Sequence, residues 1–317
     1  MNGIIIVDKP SGITSHQVVT MVKKILKVAK AGHGGTLDPL ATGVLPIFLN
    51  RATKLASFLM NGTKKYRATM KLGIETNTQD SEGTITAQST CIPEDHELII
   101  RTLNSFRGTV EQIPPMFSAL KRKGTPLYKL ARKGISLDLK ARKIQLHEIK
   151  VITIALPLVT FEVRCSPGTY VRTLCADAGR KLGCGAHLVD LKRLQSGSFL
   201  LDDSISLDQL HLLADQNALK DNLFSLSKSL TALPTVTVDK GVFTTLRKNG
   251  SVCTPHLDTT SLPSMQRGDF LKVTCQEYTF IALVQSHINW QSFSALPDNT
   301  KVWKLVCIVN PGENTIH

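Results

Sequence analysis

Apolar residues follow two rhythms along this chain. Ile4-Ile5-Ile6-Val7 and Val44-Leu45-Pro46-Ile47-Phe48-Leu49 are continuous runs of strand length. Residues 65–72 alternate, placing Tyr66, Ala68 and Met70 on one face, and 144–151 and 158–165 read as two further strands joined through Pro157. The helical rhythm appears in Val18, Val19, Val22, Ile25 and Leu26, with Lys23, Lys24, Lys27 and Lys30 outside, behind a cap at Thr14 or Ser15. Asp95 starts a helix over Leu98, Ile99, Leu103 and Phe106, Asn50 caps a short one to about Met60, and residues 169–182 form one that Gly183 ends. Strands interspersed with helices predict an α+β fold, a mixed and largely antiparallel sheet flanked by helices.

After a junction at 230–234 the pattern turns β-rich without a long helix. Strands are expected at 236–238, 270–274, 278–284 and 302–309, with turns at Asn249-Gly250 and Arg267-Gly268-Asp269. The chain of 317 residues thus divides into a main domain, 1–232, and a smaller one, 233–317, with no internal repeat or low-complexity tract.

Charge changes this picture. The formal net charge is +13, yet residues 233–317 hold seven Lys/Arg against six Asp/Glu, so the basicity belongs to the first domain. It is densest at 121–143, where Lys121, Arg122, Lys123, Lys129, Arg132, Lys133, Lys140, Arg142 and Lys143 face only Asp138. Gly124, Pro126 and Gly134 interrupt this block, which suits a loop-and-short-helix surface for phosphates, an insertion at about 119–143. No sustained apolar face adjoins it and no stretch reaches transmembrane length, so a membrane is not expected as partner. The first apolar run is stopped by Asp8-Lys9, too early for a signal peptide. Seven scattered cysteines without a Cys-x-x-Cys fit a reducing cytoplasm, and nothing in the spacing suggests a metal, a nucleotide loop or any other cofactor.

The candidate chemistry centres on Gly32-His33-Gly34-Gly35-Thr36-Leu37-Asp38-Pro39-Leu40-Ala41-Thr42-Gly43, a loop with one carboxylate. A single Asp-Pro is ordinarily a turn former. Here glycines precede it, leaving room for a polymer backbone to approach. Pro39 biases Asp38 to extended geometry, and a strand follows to anchor the loop.

This loop resembles the catalytic loop of the TruB-type tRNA pseudouridine synthases, in which the aspartate matching Asp38 is essential. Four further blocks fall in the family's order: Ile5-Ile6-Val7-Asp8-Lys9-Pro10-Ser11-Gly12-Ile13-Thr14-Ser15; Lys65-Tyr66-Arg67 with Leu72-Gly73, Thr76, Thr78, Asp80 and Gly83; Gln112 to Lys121 continuing to Gly134; and Cys165 to Leu174 with Gly183 to Leu188 and Leu191 to Leu194. One departure is Gly34, where relatives usually carry a bulkier residue such as Thr.

The resemblance implies the pseudouridine synthase fold with a small PUA-like β-rich RNA-binding domain at the C-terminus. It implies isomerisation of the T-loop uridine, position 55 of tRNA. The C1′–N1 bond breaks, the uracil turns, and it rejoins through C5, so no redox carrier or metal is needed. Asp38 would be the carboxylate, left open as nucleophile or proton acceptor, and Arg172 its ion-pair partner. Tyr66 would stack on the flipped base and help move the C5 proton, beside Tyr170 and an apolar wall from Leu191. Lys9 would brace the loop, His33 contact the everted RNA, and Lys121, Arg122, Lys123 and Arg132 meet phosphates. The implied partner is the T-arm stem-loop of tRNA, met by a monomer without a protein partner. Two other readings share this scaffold. One is a non-catalytic RNA-folding protein, disfavoured because Asp38, Tyr66, Tyr170 and Arg172 are all present. The other is a guide-dependent synthase, disfavoured because its usual N-terminal extension is not seen before the first motif.

Overall fold

The two continuous apolar runs become neighbouring strands, β1 (Gly3–Lys9) and β3 (Thr42–Leu49), paired antiparallel with Ile5 opposite Ile47. The computed structural model describes residues 1–122, 124–224, 230, 233–254, 264–310 and 315–316. Both faces of these strands are covered, which explains why they do not alternate. Ile5, Val7, Leu45 and Ile47 enter one core, and Ile4, Ile6, Val44 and Phe48 enter another on the opposite side.

The main sheet has nine strands. To β1 and β3 it adds β2 (Ala31–His33), β4 (Lys64–Leu72), β7 (Gly108–Gln112), β10 (Arg142–Ala155), β11 (Leu158–Cys165), β12 (Ala186–Ser196) and β13 (Phe199–Leu200). Two small hairpins lie outside it, β5 (Ile74–Thr76) with β6 (Ile85–Gln88) and β8 (Lys121–Arg122) with β9 (Thr125–Pro126). The order is β1-β3-β12-β4-β11-β10-β7, with β2 on β3 and β13 on β12. Only β3 and β12 run parallel, so the sheet is mixed and largely antiparallel, as predicted.

Helices α1 (Ser15–Leu26), α3 (His96–Asn104) and α5 (Val171–Lys181) lay Val18 and Val22, Ile99 and Leu103, and Leu174 and Cys175 into the first core. Thr14 and Gln17 form a reciprocal capping box, and Asp95 accepts from the backbone of Glu97 and Leu98. Asn50 does not act as a side-chain cap. It opens a 3-10 turn (Asn50–Leu55) that leads into α2 (Ala56–Leu59), and its amide accepts from Lys30 N at 3.0 Å and donates to Met1 O at 2.6 Å.

The second sheet contains β14 (Thr235–Thr237), β15 (Ser251–Cys253), β16 (Phe270–Cys275), β17 (Tyr278–Ser286), β18 (Lys301–Asn310) and β19 (Thr315–Ile316). Further helices are α4 (Leu127–Ala131), α6 (Leu207–Asp215) and α7 (Lys240–Asn249). The expectation of a β-rich segment without a long helix did not place α7. Asp239 caps it, Val242, Phe243 and Leu246 give it a buried face, and Gly250 ends it in the left-handed conformation, so Asn249-Gly250 closes a helix rather than a hairpin. The two sheets share a core in which Leu283, Cys307 and Val309 meet Ile4, Phe48 and Leu55, and the Phe58 and Phe270 rings lie 5.2 Å apart. Among the described residues no helix is long and apolar enough to cross a membrane.

Candidate active site

Asp38 sits in a loop whose carbonyls are held by the opening motif. Lys9 is fully buried, and its ammonium donates to the carbonyls of Pro10, Pro39 and Ala41 at 2.8, 3.0 and 2.7 Å. Ser11 Oγ donates to Leu40 O, Ser15 Oγ to Leu37 O, and Gly12 N to Pro39 O. The backbone of residues 37–41 is therefore held by residues 9–15, and the Lys9 contacts are one bond set among several. Two of the loop glycines are required by the protein's own packing. A side chain at Gly34 would lie 2.8 Å from the Phe48 ring, and one at Gly43 (φ +96°) would lie 2.3 Å from Arg193 O. The protein itself fills the space at both positions, and Gly43 lets β3 lie against β12.

Arg172, the second residue of α5, is buried rather than solvated. Its Nε lies 2.8 Å from Asp38 Oδ2 as a charge contact, and Nη2 donates to Asp38 Oδ1 at 3.3 Å. The remaining donors reach Phe117 O at 2.9 Å, Thr78 O at 3.0 Å and Asp80 Oδ2 at 3.1 Å. Arg172 is thus shared between two aspartates. Asp80 is itself fixed by Thr78 Oγ1 (2.5 Å) and the Glu82 amide (3.1 Å) donating to its Oδ1. Burial pushes the Asp38 carboxyl above the usual carboxylate range, Arg172 opposes this, and the Asp80 charge adds to it.

Tyr66 on β4 pairs directly with Arg193 on β12, and Leu191 pairs with Ala68, so Tyr66 and Leu191 stand on the same face as neighbours. Tyr170 occupies the position before α5, where the Gln112 side chain clamps its peptide, accepting from Tyr170 N at 2.8 Å and donating to Tyr170 O at 3.0 Å. Burial raises both phenols above the ordinary tyrosine value. Asp38, Tyr66, Tyr170, Arg172 and Leu191 line one cavity of about 330 Å³, together with Lys64, Ser118 and Arg193. Two larger grooves, of about 620 and 640 Å³, contain none of the sequence-predicted site residues.

The other candidates lie outside that cavity. His33 is on β2, opposite Ile47, where burial and the Arg193 charge hold its imidazole below the ordinary value. Lys121 and Arg122 are exposed on the β8–β9 hairpin, and the Arg132 guanidinium lies 5.6 Å from the Tyr128 ring centre just past α4. Lys123 lies outside the described residues. Sequence reasoning assigned no role to Asp80, Gln112, Arg193 or Lys64. All but Lys64 stand inside the motif blocks, and that was the available signal. Among the described residues no group of three or more His, Cys, Asp or Glu side chains is arranged to hold a metal.

Residues 23–171 match the model of the TruB family pseudouridylate synthase N-terminal domain, and residues 172–232 match that of the tRNA pseudouridylate synthase B C-terminal domain. A tRNA pseudouridine synthase B of Geobacter sulfurreducens is 50% identical over 230 residues, 73% of this chain and 76% of that protein. One of Clostridium tetani is 43% identical over 285 residues, 90% of this chain and 96% of that protein. In solved structures, a chain of a Cbf5-Nop10-Gar1 complex superposes with a TM-score of 0.71 at 28% identity, covering 98% of this chain and 86% of that one.

Proposed function

The chain belongs to the TruB family of pseudouridylate synthases, and from that premise we propose that its target is the T-loop uridine of tRNA, position 55, with Asp38 as the essential carboxylate. It is an isomerase that converts uridine to pseudouridine in tRNA. The observation that carries the site assignment is the placement of the Asp38 carboxylate against Arg172 in the same cavity as Tyr66 and Leu191. A cavity of about 330 Å³ suits one nucleoside, so the target base must leave its stack, at a cost of roughly a few kcal/mol.

In this reading Arg172 orients Asp38 at the sugar and favours its ionised form. Tyr66 and Leu191 hold the uracil between an aromatic and an aliphatic wall while it turns. The C1′–N1 bond breaks, a C1′–C5 bond forms, the C5 proton leaves, and N1 gains a proton, so the atoms balance without a cofactor. Tyr170 shapes the pocket mouth and Lys9 keeps the loop rigid. His33 contacts the displaced RNA, while Lys121, Arg122, Lys123 and Arg132 neutralise phosphates. Residues 1–232 form the catalytic unit and 233–317 a PUA-like RNA-binding unit, working as a monomer in the cytoplasm.

The test is product analysis on a T-arm stem-loop, with binding measured on the same preparation. Wild-type protein is expected to convert the T-loop uridine. Folded Asp38→Asn protein is expected to bind with near wild-type affinity and form no pseudouridine, because phosphate contacts and stacking, not the carboxylate, carry affinity. Turnover by that variant would remove Asp38 from the mechanism.

A further inference from the structure

The cavity holds two cations that the reaction as described does not use. Lys64 and Arg193 are 7% and 1% exposed, and among the described residues neither lies within ion-pair distance of a carboxylate. Buried charges are ordinarily paired because desolvation is costly. These two also lie close to one another. Burial first, and then the neighbouring Arg193 charge, lower the Lys64 ammonium to about 8.

Their donors are only partly used. Lys64 Nζ donates to Met60 O and Gly62 O, which leaves one of its three N–H groups. Arg193 Nε donates to Val44 O at 2.7 Å and Nη2 to Gly35 O at 3.1 Å, and its side chain also hydrogen-bonds Tyr66, which leaves at most two of five. Their position along the sheet is ordered. Lys64 precedes Tyr66 by one same-face step on β4, about 6.6 Å, and Arg193 follows Leu191 by the same step on the antiparallel β12, directly opposite Tyr66. Arg193 therefore stands beside the Tyr66 wall and Lys64 one step beyond it, at the edge of the walls assigned to the base.

We infer that Lys64 and Arg193 form an anion subsite inside the cavity that takes one phosphodiester adjoining the target uridine. The inference rests on the nucleotide-binding reading of this cavity. An RNA phosphate supplies the charge that the folded protein lacks there, and its oxygens accept the unused N–H groups. The site thereby reads the position of the backbone as well as the base.

The experiment uses T-arm RNA carrying a neutral methylphosphonate at the linkage on either side of the target uridine. In wild-type protein one of the two substitutions is expected to weaken binding about tenfold, the scale of a lost hydrogen bond to a charged group. Lys64→Met should bind unmodified RNA about tenfold more weakly and lose less than wild type does from that substitution, because only Arg193 remains to sense the charge. The wild-type arm needs no variant, so a folding defect in Lys64→Met cannot hide the outcome. If neither linkage weakens wild-type binding, or if Lys64→Met suffers the full loss again, the subsite is overturned. Pseudouridine yield on unmodified RNA, read in the same reactions, separates that result from failure of the functional reading itself.

Discussion

Removing one or the other of the two aspartates on Arg172 should damage the protein in opposite ways. The side chains of Asp80 and Arg172 are 5% and 4% exposed and 3.1 Å apart. Asp80→Asn leaves the guanidinium buried with its most enclosed counter-charge gone, and breaking a buried pair from one side costs roughly 3–5 kcal/mol. At about 2–4 °C per kcal/mol for a domain of this size, the melting temperature should fall by about 6–20 °C. Asp38 is different. Its side chain is 33% exposed, and its carboxyl is raised in the folded state. A raised carboxyl means that the folded protein holds the proton more tightly than the unfolded chain does. The ionised group therefore costs stability once pH rises past the ordinary value of about 3.9, and the full cost is present above the folded value. Asp38→Asn should melt no lower than wild type at pH 7, and the two should converge as pH falls below about 4.

Activity should divide the other way. Asp38→Asn makes no product, whereas Asp80→Asn keeps reduced turnover. The acid limb of kcat/KM in Asp80→Asn should move to lower pH, because the like charge that helps raise Asp38 is gone. Thermal unfolding from pH 4 to 8, alongside product analysis on T-arm RNA, measures both. A large stability loss in Asp38→Asn with none in Asp80→Asn, or an acid limb that moves upward, would refute the reasoning.

The basic hairpin and the shared core yield two further expectations. Replacing the exposed Lys121 and Arg122 with Ala should lower the slope of log affinity against log salt by about 0.7–0.9 for each phosphate that is no longer neutralised, and an unchanged slope would turn that surface away from the RNA. Cutting the chain after residue 232 leaves all of the proposed cavity residues in place but uncovers Phe48, Leu55 and Phe58, which pack against or alongside the second sheet. The truncated protein should unfold at a lower temperature and denaturant concentration than the full chain, and equal stability would mean that the shared core contributes nothing.

The local periodicities carried most of the fold. Continuous runs at residues 4–7 and 44–49 marked strands, alternation marked β4, and the caps at Thr14 and Asp95 set helix starts, because backbone bonding and side-chain faces are decided within a few residues. The helix Lys240–Asn249 was legible in the same terms, from Asp239 to Gly250, but the surrounding β pattern obscured it. The motif order likewise marked Asp38, Tyr66, Tyr170, Arg172 and Leu191, and these share one cavity.

What the sequence could not decide was which charges are taken out of water and what they meet. Arg172 has the local signature of an exposed helix cation. It is buried because Asp80 and Asp38, 92 and 134 residues away in the chain, converge on it once α5 packs against the sheet. Lys64 and Arg193 read as ordinary strand cations until the antiparallel pairing of β4 with β12 turns them into the same pocket. The continuity of β1 and β3 shows that they are buried, but not that a second sheet some 230 residues further on covers one face. Periodicity reports a side chain's direction relative to its own strand or helix. Its dielectric surroundings and its partners depend on chain segments that become neighbours only when the elements pack, so burial of charge and the electrostatics of the site are set by tertiary structure alone.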